Sequence, residues 1–511
     1  MKFIWSLFLL FSFSVSAQKT LTKEQMYEDF DEMTQIILDC NPQLAVRKAV
    51  TGVDQTIYFK ELRARIDTIK TYDAFITRVL NHVLVRMYDI HAVMAKEVYD
   101  FDIIEGIDVE AVGIQRKEMR KRREAMEMAF RPCEPINTPV YIQGDYYFLG
   151  KYIFINKEKA DSLILWNPKL VSYGGTPYSV YAMKHAPHNV RWDHARKKYY
   201  ALDSYFPGCK GKIRFEVNGK AIEFDKREYP QVNIDRDTKY HIGSFAHLPS
   251  YNYTQPDSRV SYFKEDKLLY IYMRKMVDDQ GRLAEKIKKT AKGKEIGKII
   301  IDIRDNQGGH DHAWHYLLQA IIADTLPDRA TLAFKNSERI KALYRNSTTV
   351  ENMDRWEVVS FPWLPSEEFI AAETSVRYFV PDTNSLRYKG RIYLLQNEYT
   401  HSSAQAFASY VRRLPQWITV GTPTGMPGGR GLAPALFQLK HSKFSFRLET
   451  ALDVTDLHKL EDSFQDVPEM IIGIPFEEEL KHKYCRYLYD QNSKPYLYEQ
   501  DYVFRKVRDM E

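Results

Sequence analysis

The chain has 511 residues, with 73 Lys and Arg against 68 Asp and Glu, and a formal net charge of +5. This length provides for two or three domains. So small a net charge argues against nucleic acid or an anionic membrane surface as the partner.

The first residues have the features of an export signal. Lys2 precedes an apolar run, Phe3 to Val15, and Val15-Ser16-Ala17 fits the small-residue rule for cleavage. We expect removal of residues 1–17 and a periplasmic, extracellular or cell-envelope location. No later stretch approaches the roughly 20 apolar residues of a membrane span, so no span is expected after cleavage.

Four cysteines lie far apart in the sequence. An oxidising compartment would permit one or two disulfides among them, and their spacing is not that of a metal site. They are Cys40, Cys133, Cys209 and Cys485.

The hydrophobic pattern predicts an α+β protein of several domains. Residues 18–130 form an N-terminal helical region, in which apolar residues recur every three or four positions from Phe75 to Met87. Residues 137–235 form a small β-rich module, with an Asn218-Gly219 hairpin turn between two alternating strands.

Residues 255–480 form an α/β core, and residues 481–511 a C-terminal extension. The run Lys298–Ile303 is apolar almost throughout, which is typical of a strand buried on both faces. Alternating strands and helices favour a largely parallel, layered sheet. Strands are predicted at 268–272, 298–303, 392–395 and 417–420, and helices at 279–290, 313–322 and 404–411.

Ser402 lies at a predicted strand-to-helix turn. A helix N-terminus offers unpaired backbone N–H groups and the positive end of the helix dipole, so a hydroxyl there can serve as an exposed nucleophile. The alternative is an ordinary helix cap, since Ser and Thr are common in that role.

A second polar turn follows the predicted strand that ends at Ile303. It closes with Gly308 and Gly309, which can adopt positive φ and turn their N–H groups towards a ligand. This turn can form half of an oxyanion hole. A tight strand-to-helix connection without a chemical role is the alternative.

His91 follows a predicted helix and is the candidate base. A serine hydroxyl is a poor nucleophile until a base takes its proton, and histidine suits this task near neutral pH. His91 has this role only if the fold brings it to Ser402. Otherwise it is a structural or exposed histidine.

Four sequence elements together resemble the C-terminal processing (tail-specific) proteases and their tricorn-core and retinoid-binding-protein relatives. The family patterns L-x-D-x-H-T, D-x-R-x-N-x-G-G, N-x-x-T-x-S-A-x-E and G-x-x-T-x-G have counterparts here in the family order. They are Met87-Tyr88-Asp89-Ile90-His91-Ala92, Asp302-Ile303-Arg304-Asp305-Asn306-Gln307-Gly308-Gly309, Asn397 with Thr400 and Ser402, and Gly421-Thr422-Pro423-Thr424-Gly425.

The resemblance implies a fold and a function. The fold has N-terminal helices, a layered α/β core of the ClpP/crotonase type and, in residues 137–235, a degenerate PDZ-like module. The function is an exported serine endopeptidase that acts on peptides or proteins and needs no metal or organic cofactor. Ser402 would be the nucleophile, and the N–H groups of Gly308, Gly309 and Ser403 would bind the oxyanion. The oligomeric state is left open.

Departures from the family pattern point to one branch. Ser403 and Gln405 replace Ala and Glu after the nucleophile. No lysine lies between Lys389 and Lys440, where tail-specific proteases have the lysine of a Ser-Lys dyad. The tricorn-like branch uses an upstream histidine and a downstream acid instead. The resemblance to it implies His91 as the base and, as its orienting acid, Asp462 or the neighbouring Glu461.

Two other functions compete with this one. A metal site would draw on a polar cluster in which His312 and His315 share a helix face, although no third ligand is evident and a polar cleft rim is favoured. The cluster comprises Asp305, His310, Asp311, His312 and His315. The second alternative is a catalytically inactive relative that binds a peptide or another ligand, because the fold does not determine the function.

Overall fold

The computed structural model describes residues 20–51, 54–87, 91–95, separate segments between 147 and 235, 257–277, 279–345, 350–351, 357–358, 368–424, 431–455, 457, 466–474, 478 and 489–510. The predicted export signal, the charged part of the N-terminal region and the acid candidates Glu461 and Asp462 lie outside the described residues.

The helices are concentrated in the N-terminal region and the core. They are α1 (Lys23–Cys40), α2 (Gln43–Thr51), α3 (Ile57–Arg65), α4 (Tyr72–Phe75), α5 (Asn81–Arg86), α6 (Arg282–Ala291), α7 (His312–Ile321), α8 (Glu338–Tyr344), α9 (Ser403–Val411), α10 (Lys494–Glu499) and α11 (Tyr502–Arg508). A 3₁₀ turn at Ile66–Thr68 follows α3, and a π turn at Ile76–Leu80 joins α4 to α5.

The strands are short and belong to several sheets. They are β1 (Val93–Met94), β2 (Tyr147–Phe148), β3 (Lys151–Asn156), β4 (Asp161–Trp166), β5 (Lys169–Tyr173), β6 (Thr176–Pro177), β7 (Val190–Asp193), β8 (Lys198–Ala201), β9 (Lys212–Val217), β10 (Lys220–Asp225), β11 (Gln231–Asp235), β12 (Ser258–Phe263), β13 (Leu268–Met273), β14 (Lys298–Asp302), β15 (Leu326–Asp328), β16 (Thr331–Lys335), β17 (Val350–Glu351), β18 (Glu357–Val358), β19 (Phe369–Thr374), β20 (Arg377–Phe379), β21 (Ile392–Gln396), β22 (Trp417–Gly421), β23 (Gly431–Gln438), β24 (Ser445–Asp453) and β25 (Met470–Ile471).

The predicted parallel sheet is present, in the order β12-β13-β14-β21-β22-β25. All its pairs are parallel except the β12–β13 hairpin. The side chains of β14 alternate between two apolar layers: Ile299 and Ile301 pack with helices α6, α7 and α9, and Ile300 packs on the opposite side. The prediction of a strand buried on both faces is therefore confirmed.

The C-terminal helices cover the second face of this sheet. Leu497 of α10 and Phe504 of α11 pack against Ile300 and Tyr393. Arg304, at the end of β14, forms ion pairs with Asp302 and Asp501, both at 2.6 Å. The predicted C-terminal extension is thus part of the core's packing.

Helix α6 begins three residues later than the pattern predicts. Gln280 and Gly281 have positive φ, 55° and 82°, and so cannot continue a right-handed helix. Asp279 stabilises this turn, since its carboxylate accepts hydrogen bonds from the N–H groups of Gly281 and Leu283. Asp279 therefore caps the helix from outside it.

A second, antiparallel sheet packs against the N-terminal helices. Its order is β1-β24-β16-β19-β17, with β18 beside β19 and β23 beside β24. Val79 and Val83 lie in one apolar cluster with Phe446 and Leu448 of β24. The predicted apolar helix face is confirmed as buried, and the sheet links it to the core. Cys40 is a buried free thiol in this cluster, and burial raises its pKa to about 12.

The described strands between 147 and 235 form two further sheets, β11-β3-β4 and β10-β9-β5-β2-β8-β7 with β6 beside β5. The predicted β9–β10 hairpin is confirmed: Asn218 and Gly219 have φ of 51° and 77°, as a type I′ turn requires. The PDZ-like character of this module stays a prediction.

Among the described residues, no helix combines the length and the apolar composition of a membrane span.

Candidate active site

Ser402 lies immediately before α9 in an unusual backbone conformation. Its φ of 53° and ψ of −127° are unfavourable for a residue with a side chain. Gly308 approaches it so closely that a Cβ at position 308 would lie 2.7 Å from the Ser402 Cβ. Gly308 itself has a φ of 91°. Glycine is therefore required at 308 for the two predicted loops to meet at the serine.

The Asn-x-x-Thr part of the serine motif fastens the two loops together. Asn397 accepts a hydrogen bond from the Asp305 backbone N–H at 2.9 Å and donates to the Asp305 carboxylate at 3.1 Å. The Thr400 hydroxyl donates to the Ile303 carbonyl at 3.1 Å. These bonds hold the serine loop at the carboxyl end of β14, so the motif has a structural reason beyond the nucleophile.

The structure brings His91 to Ser402, although 311 residues separate them. The His91 Nε2 lies 3.2 Å from the Ser402 Oγ, within hydrogen-bond reach. His91 precedes the short strand β1, which pairs with β24 of the antiparallel sheet. Pairing with β24 places His91 next to the edge of the parallel sheet at which Ser402 lies.

The second ring nitrogen of His91 contacts a buried acid. The His91 Nδ1 hydrogen-bonds to the Glu449 Oε1, and Glu449 lies within β24 with 1% of its side chain exposed. Ser402, His91 and Glu449 thus form a continuous chain of hydrogen-bonding groups. This is the order of nucleophile, base and orienting acid.

The acids implied by the resemblance, Glu461 and Asp462, lie outside the described residues, so that assignment stays a prediction. Among the described residues, Glu449 is the acid on the Nδ1 side of His91. Glu449 lies in β24, where all residues except Arg447 are buried, and no motif of the sequence marks it.

The predicted oxyanion donors are only partly suited to that role. The Gly308 N–H donates to the Asn306 Oδ1 at 2.9 Å, so this donor is already engaged. Within the described part of the chain, the N–H groups of Gly309 and Ser403 have no acceptor. Ser403 is the first residue of α9, where backbone N–H groups are unpaired by geometry. The N–H groups of Gly309 and Ser403 are therefore available to a ligand, and Gly308 allows the close approach of the loops.

The Ser403 hydroxyl has a different environment from that of Ser402. It donates to the Asp311 Oδ1 at 2.6 Å, and the Trp314 Nε1 donates to the same oxygen at 3.2 Å. Ser403, which replaces the family's alanine, is thus fixed to the start of α7. Of the two adjacent serines, Ser402 is the one that faces the histidine.

Side chains of the polar cluster considered as a metal site contact different neighbouring residues. Within the described residues, no group of three or more His, Cys, Asp or Glu side chains is placed to hold a metal ion. Asp305 bonds to Asn397, and Asp311 bonds to Ser403. His315 packs against Trp314, and burial lowers its pKa to about 4. His310 and His312 lie beside Asp311 at the start of α7.

Comparison with known proteins points to a peptidase. Residues 267–462 match the model of Peptidase family S41. The matched segment contains Ser402 and Glu449, and His91 lies before it. No curated protein matches the chain.

Several solved structures have a distant likeness to the chain. Mature CPAF complexed with lactacystin is 11% identical, with 96% of this chain and 98% of that chain covered and a TM-score of 0.47. Mature CPAF is 11% identical over 92% of this chain and 96% of that chain, with a TM-score of 0.46. The photosystem II D1 C-terminal processing protease is 12% identical over 91% of this chain and 97% of that chain, with a TM-score of 0.36.

Proposed function

We propose that this chain, whose residues 267–462 match Peptidase family S41, is an exported serine endopeptidase with Ser402, His91 and Glu449 as its catalytic residues. The family match supports a serine peptidase. The observation that carries the proposed site is the position of His91 between the Ser402 hydroxyl and the Glu449 carboxylate.

The proposed reaction begins with attack of the Ser402 Oγ on the carbonyl carbon of a peptide bond. The hydroxyl proton passes to the His91 Nε2 as the Oγ–C bond forms. His91 then donates this proton to the leaving amine as the C–N bond breaks, which leaves an acyl-enzyme. Water, activated in turn by His91, hydrolyses the ester and restores the serine.

Glu449 would set the protonation state of His91. A carboxylate at Nδ1 keeps the ring proton on that nitrogen, so that Nε2 faces Ser402 as an acceptor. The same carboxylate stabilises the imidazolium that forms when the serine proton is transferred. Because Glu449 is buried, solvent screens this interaction only weakly.

The N–H groups of Gly309 and Ser403 would stabilise the negative oxygen of the tetrahedral intermediate. Loss of one such donor typically costs about 3–4 kcal/mol of activation free energy. In this scheme the base is a histidine, consistent with the absence of lysine between Lys389 and Lys440. The chain would therefore belong with the branch that lacks the catalytic lysine.

Export is a separate part of the proposal and rests on residues 1–17. The N-terminal sequence of the chain recovered from the cell envelope or the medium of an expressing bacterium tests it directly. We expect the recovered chain to begin at Gln18. A chain that keeps Met1 and remains in the cytoplasm would refute this part alone.

Cleavage of an unstructured protein, such as fluorescein-labelled casein, tests the peptidase. We expect internal cleavage by the wild type, none by Ser402→Ala, and activity within about tenfold of wild type for Ser403→Ala, which keeps the backbone N–H. A folded wild-type chain that cleaves no unstructured protein and bears no reactive serine would instead favour the inactive, ligand-binding relative.

A further inference from the structure

A basic cleft lies on the α/β core away from the serine. Its volume is about 1030 Å³, and it is formed by the end of α6, the segment that leads into β14 and the loop before β21. One carboxylate, that of Glu285, lines it. The cationic side chains of the lining are Lys288, Lys289, Lys292, Lys294, Arg387 and Lys389.

The cleft and Ser402 lie at opposite edges of the parallel sheet. Gly297 and Gly390, which line the cleft, precede β14 and β21, whereas the loops around Ser402 follow those strands. Each strand has five residues, so the two edges are about 17 Å apart along the strands. An extended peptide of about ten residues, which reaches roughly 33 Å, can join the two places around the surface.

The positive charge of the cleft is not explained by local pairing. Lys288 is neutralised, because its Nζ lies 2.6 Å from Glu285 and 2.9 Å from Asp382. Lys289 and Lys389 are exposed, and no ion pair joins either of them to a described residue. With Lys288 paired, five cationic side chains of the lining remain, and the one lining carboxylate, that of Glu285, is already engaged by Lys288.

A structural role accounts for only some of these residues. Lysines in the last turn of a helix stabilise its C-terminus, and Lys288 and Lys289 hold that position in α6. Arg387 of the facing loop also has a structural contact, since its Nη1 donates to the Ala323 carbonyl, just beyond the end of α7, at 2.7 Å. For Lys389 of the same loop, no such contact with a described residue is present. Two separate segments thus direct cations to one cleft, as expected for a site that binds an anion.

The lining favours carboxylates over single-stranded nucleic acid. Nucleic-acid grooves of this kind add aromatic side chains on which bases stack. Tyr388 is the aromatic residue of this lining, but it is 9% exposed and its hydroxyl donates to the Gly297 carbonyl. Most of the cations are lysines, whose flexible point charges suit irregularly spaced carboxylates.

We propose that the basic cleft binds an acidic segment of a protein substrate whose scissile bond, about ten residues away, occupies the Ser402 site. This inference rests on the proposed peptidase function and specifies its substrate class. The cleft would raise the local concentration of substrates with clustered Asp and Glu, and salt would weaken the effect.

Binding can be measured without catalysis in the full-length Ser402→Ala chain. The probe is a fluorescein-labelled peptide of ten glutamates, followed by fluorescence anisotropy, beside a ten-residue Gly-Ser peptide. We expect the Ser402→Ala chain to bind the glutamate peptide. A variant that combines Lys289→Glu, Lys292→Glu and Lys389→Glu should raise the Kd for this peptide at least tenfold. The matched control, with the same charge change at exposed positions elsewhere, combines Lys60→Glu, Lys220→Glu and Lys264→Glu and should bind as the parent does.

Three outcomes would overturn the proposal. They are no binding of the glutamate peptide, equal weakening by both triple variants, and tighter binding of inorganic polyphosphate or of a dT oligonucleotide. In the active chain, the cleft variant should lower kcat/KM only for a substrate with an acidic segment. Because the binding measurement uses a chain without the nucleophile, failure of the cleft and failure of the peptidase are distinguishable.

Discussion

His91 and Glu449 face each other across an antiparallel strand pair. The β1–β24 register pairs Val93 with Arg447 and Met94 with Phe446. Continued by two residues, the same register places His91 opposite Glu449, where their side chains hydrogen-bond. The Arg447 side chain donates to the His91 carbonyl at 3.3 Å, which also ties the His91 backbone to β24. Strand pairing therefore sets the distance between the base and its acid.

The first prediction concerns the charge on Glu449. Glu449→Gln keeps the size of the side chain but removes the carboxylate that orients His91, so we expect kcat to fall by roughly 10²–10⁴-fold. Initial rates of casein cleavage measure this change. The matched controls are Glu461→Gln and Asp462→Asn, which should keep near wild-type activity. If Glu449→Gln stays active and Glu461→Gln or Asp462→Asn loses activity, the acid is Glu461 or Asp462 and not Glu449.

Gly431 gives the second prediction, because the Glu449 carboxylate fills the space next to its Cα. A Cβ on Gly431 would overlap that carboxylate. Gly431→Ala should therefore displace Glu449 from His91 and lower kcat by roughly 10–100-fold, since a shift of about 1 Å can cost that much.

The control for Gly431→Ala is Gly219→Asn in the β9–β10 turn, where a Cβ would meet nothing within 4 Å and asparagine tolerates the positive φ of 77°. It should leave casein cleavage unchanged. A double-mutant cycle separates the mechanism from general damage: in a Glu449→Gln background, Gly431→Ala should have little further effect. Fully additive losses would mean that Gly431 does not act through Glu449.

The third prediction tests the link between the motif turn and the C-terminal helices. The Asp501 carboxylate accepts two hydrogen bonds from Arg304 and one from the Phe504 N–H. Asp501→Ala leaves a buried guanidinium with one acid fewer and should lower the free energy of unfolding by about 3–5 kcal/mol. Urea titration measures it. The exposed Arg508–Asp509 pair supplies the control, Asp509→Ala, for which a change below about 1 kcal/mol is expected.

The fourth prediction concerns stability at low pH. Burial, followed by the charges of Arg65 and Arg86, lowers the pKa of His82 to about 4 in the folded chain. The unfolded chain binds this proton near pH 6.5, so His82 lowers the free energy of unfolding as pH falls from about 6.5 to about 4. The His82 contribution to the loss between pH 8 and pH 5 should be about 2 kcal/mol. His82→Gln should remove this contribution and leave the separate one from His315, whose pKa is also lowered to about 4.

Urea titrations at the two pH values check this prediction, with His312→Gln as the control. His312 is exposed, so that variant should keep the wild-type pH dependence. A pH dependence unchanged in His82→Gln would show that the proton is taken up elsewhere.

The sequence predicted the parts of the site that are formed by residues close together in the chain. Ser402 was predicted from a strand-to-helix turn, and the glycine turn from Gly308 and Gly309, because both signals lie within a few residues. The π turn at Ile76–Leu80 and the late start of α6 were missed, because they depend on local backbone geometry that apolar spacing does not report.

Glu449 could not be found in the same way. It reaches His91 through strand pairing across 358 residues, and only the folded register shows which acid lies opposite the histidine. The hydrogen bond from the Gly308 N–H to the Asn306 side chain was not predicted either. The motif alone does not show that Asn306 accepts this bond.

The most direct test of the catalytic assignment is the site and rate of reaction with a fluorophosphonate, measured by intact mass and peptide mapping. We expect one adduct per chain on Ser402, none in Ser402→Ala, an adduct at Ser402 in Ser403→Ala, and labelling at least 100-fold slower in His91→Ala. No adduct in the folded wild-type chain, or labelling unaffected by His91→Ala, would contradict the assignment of Ser402 and His91 as nucleophile and base.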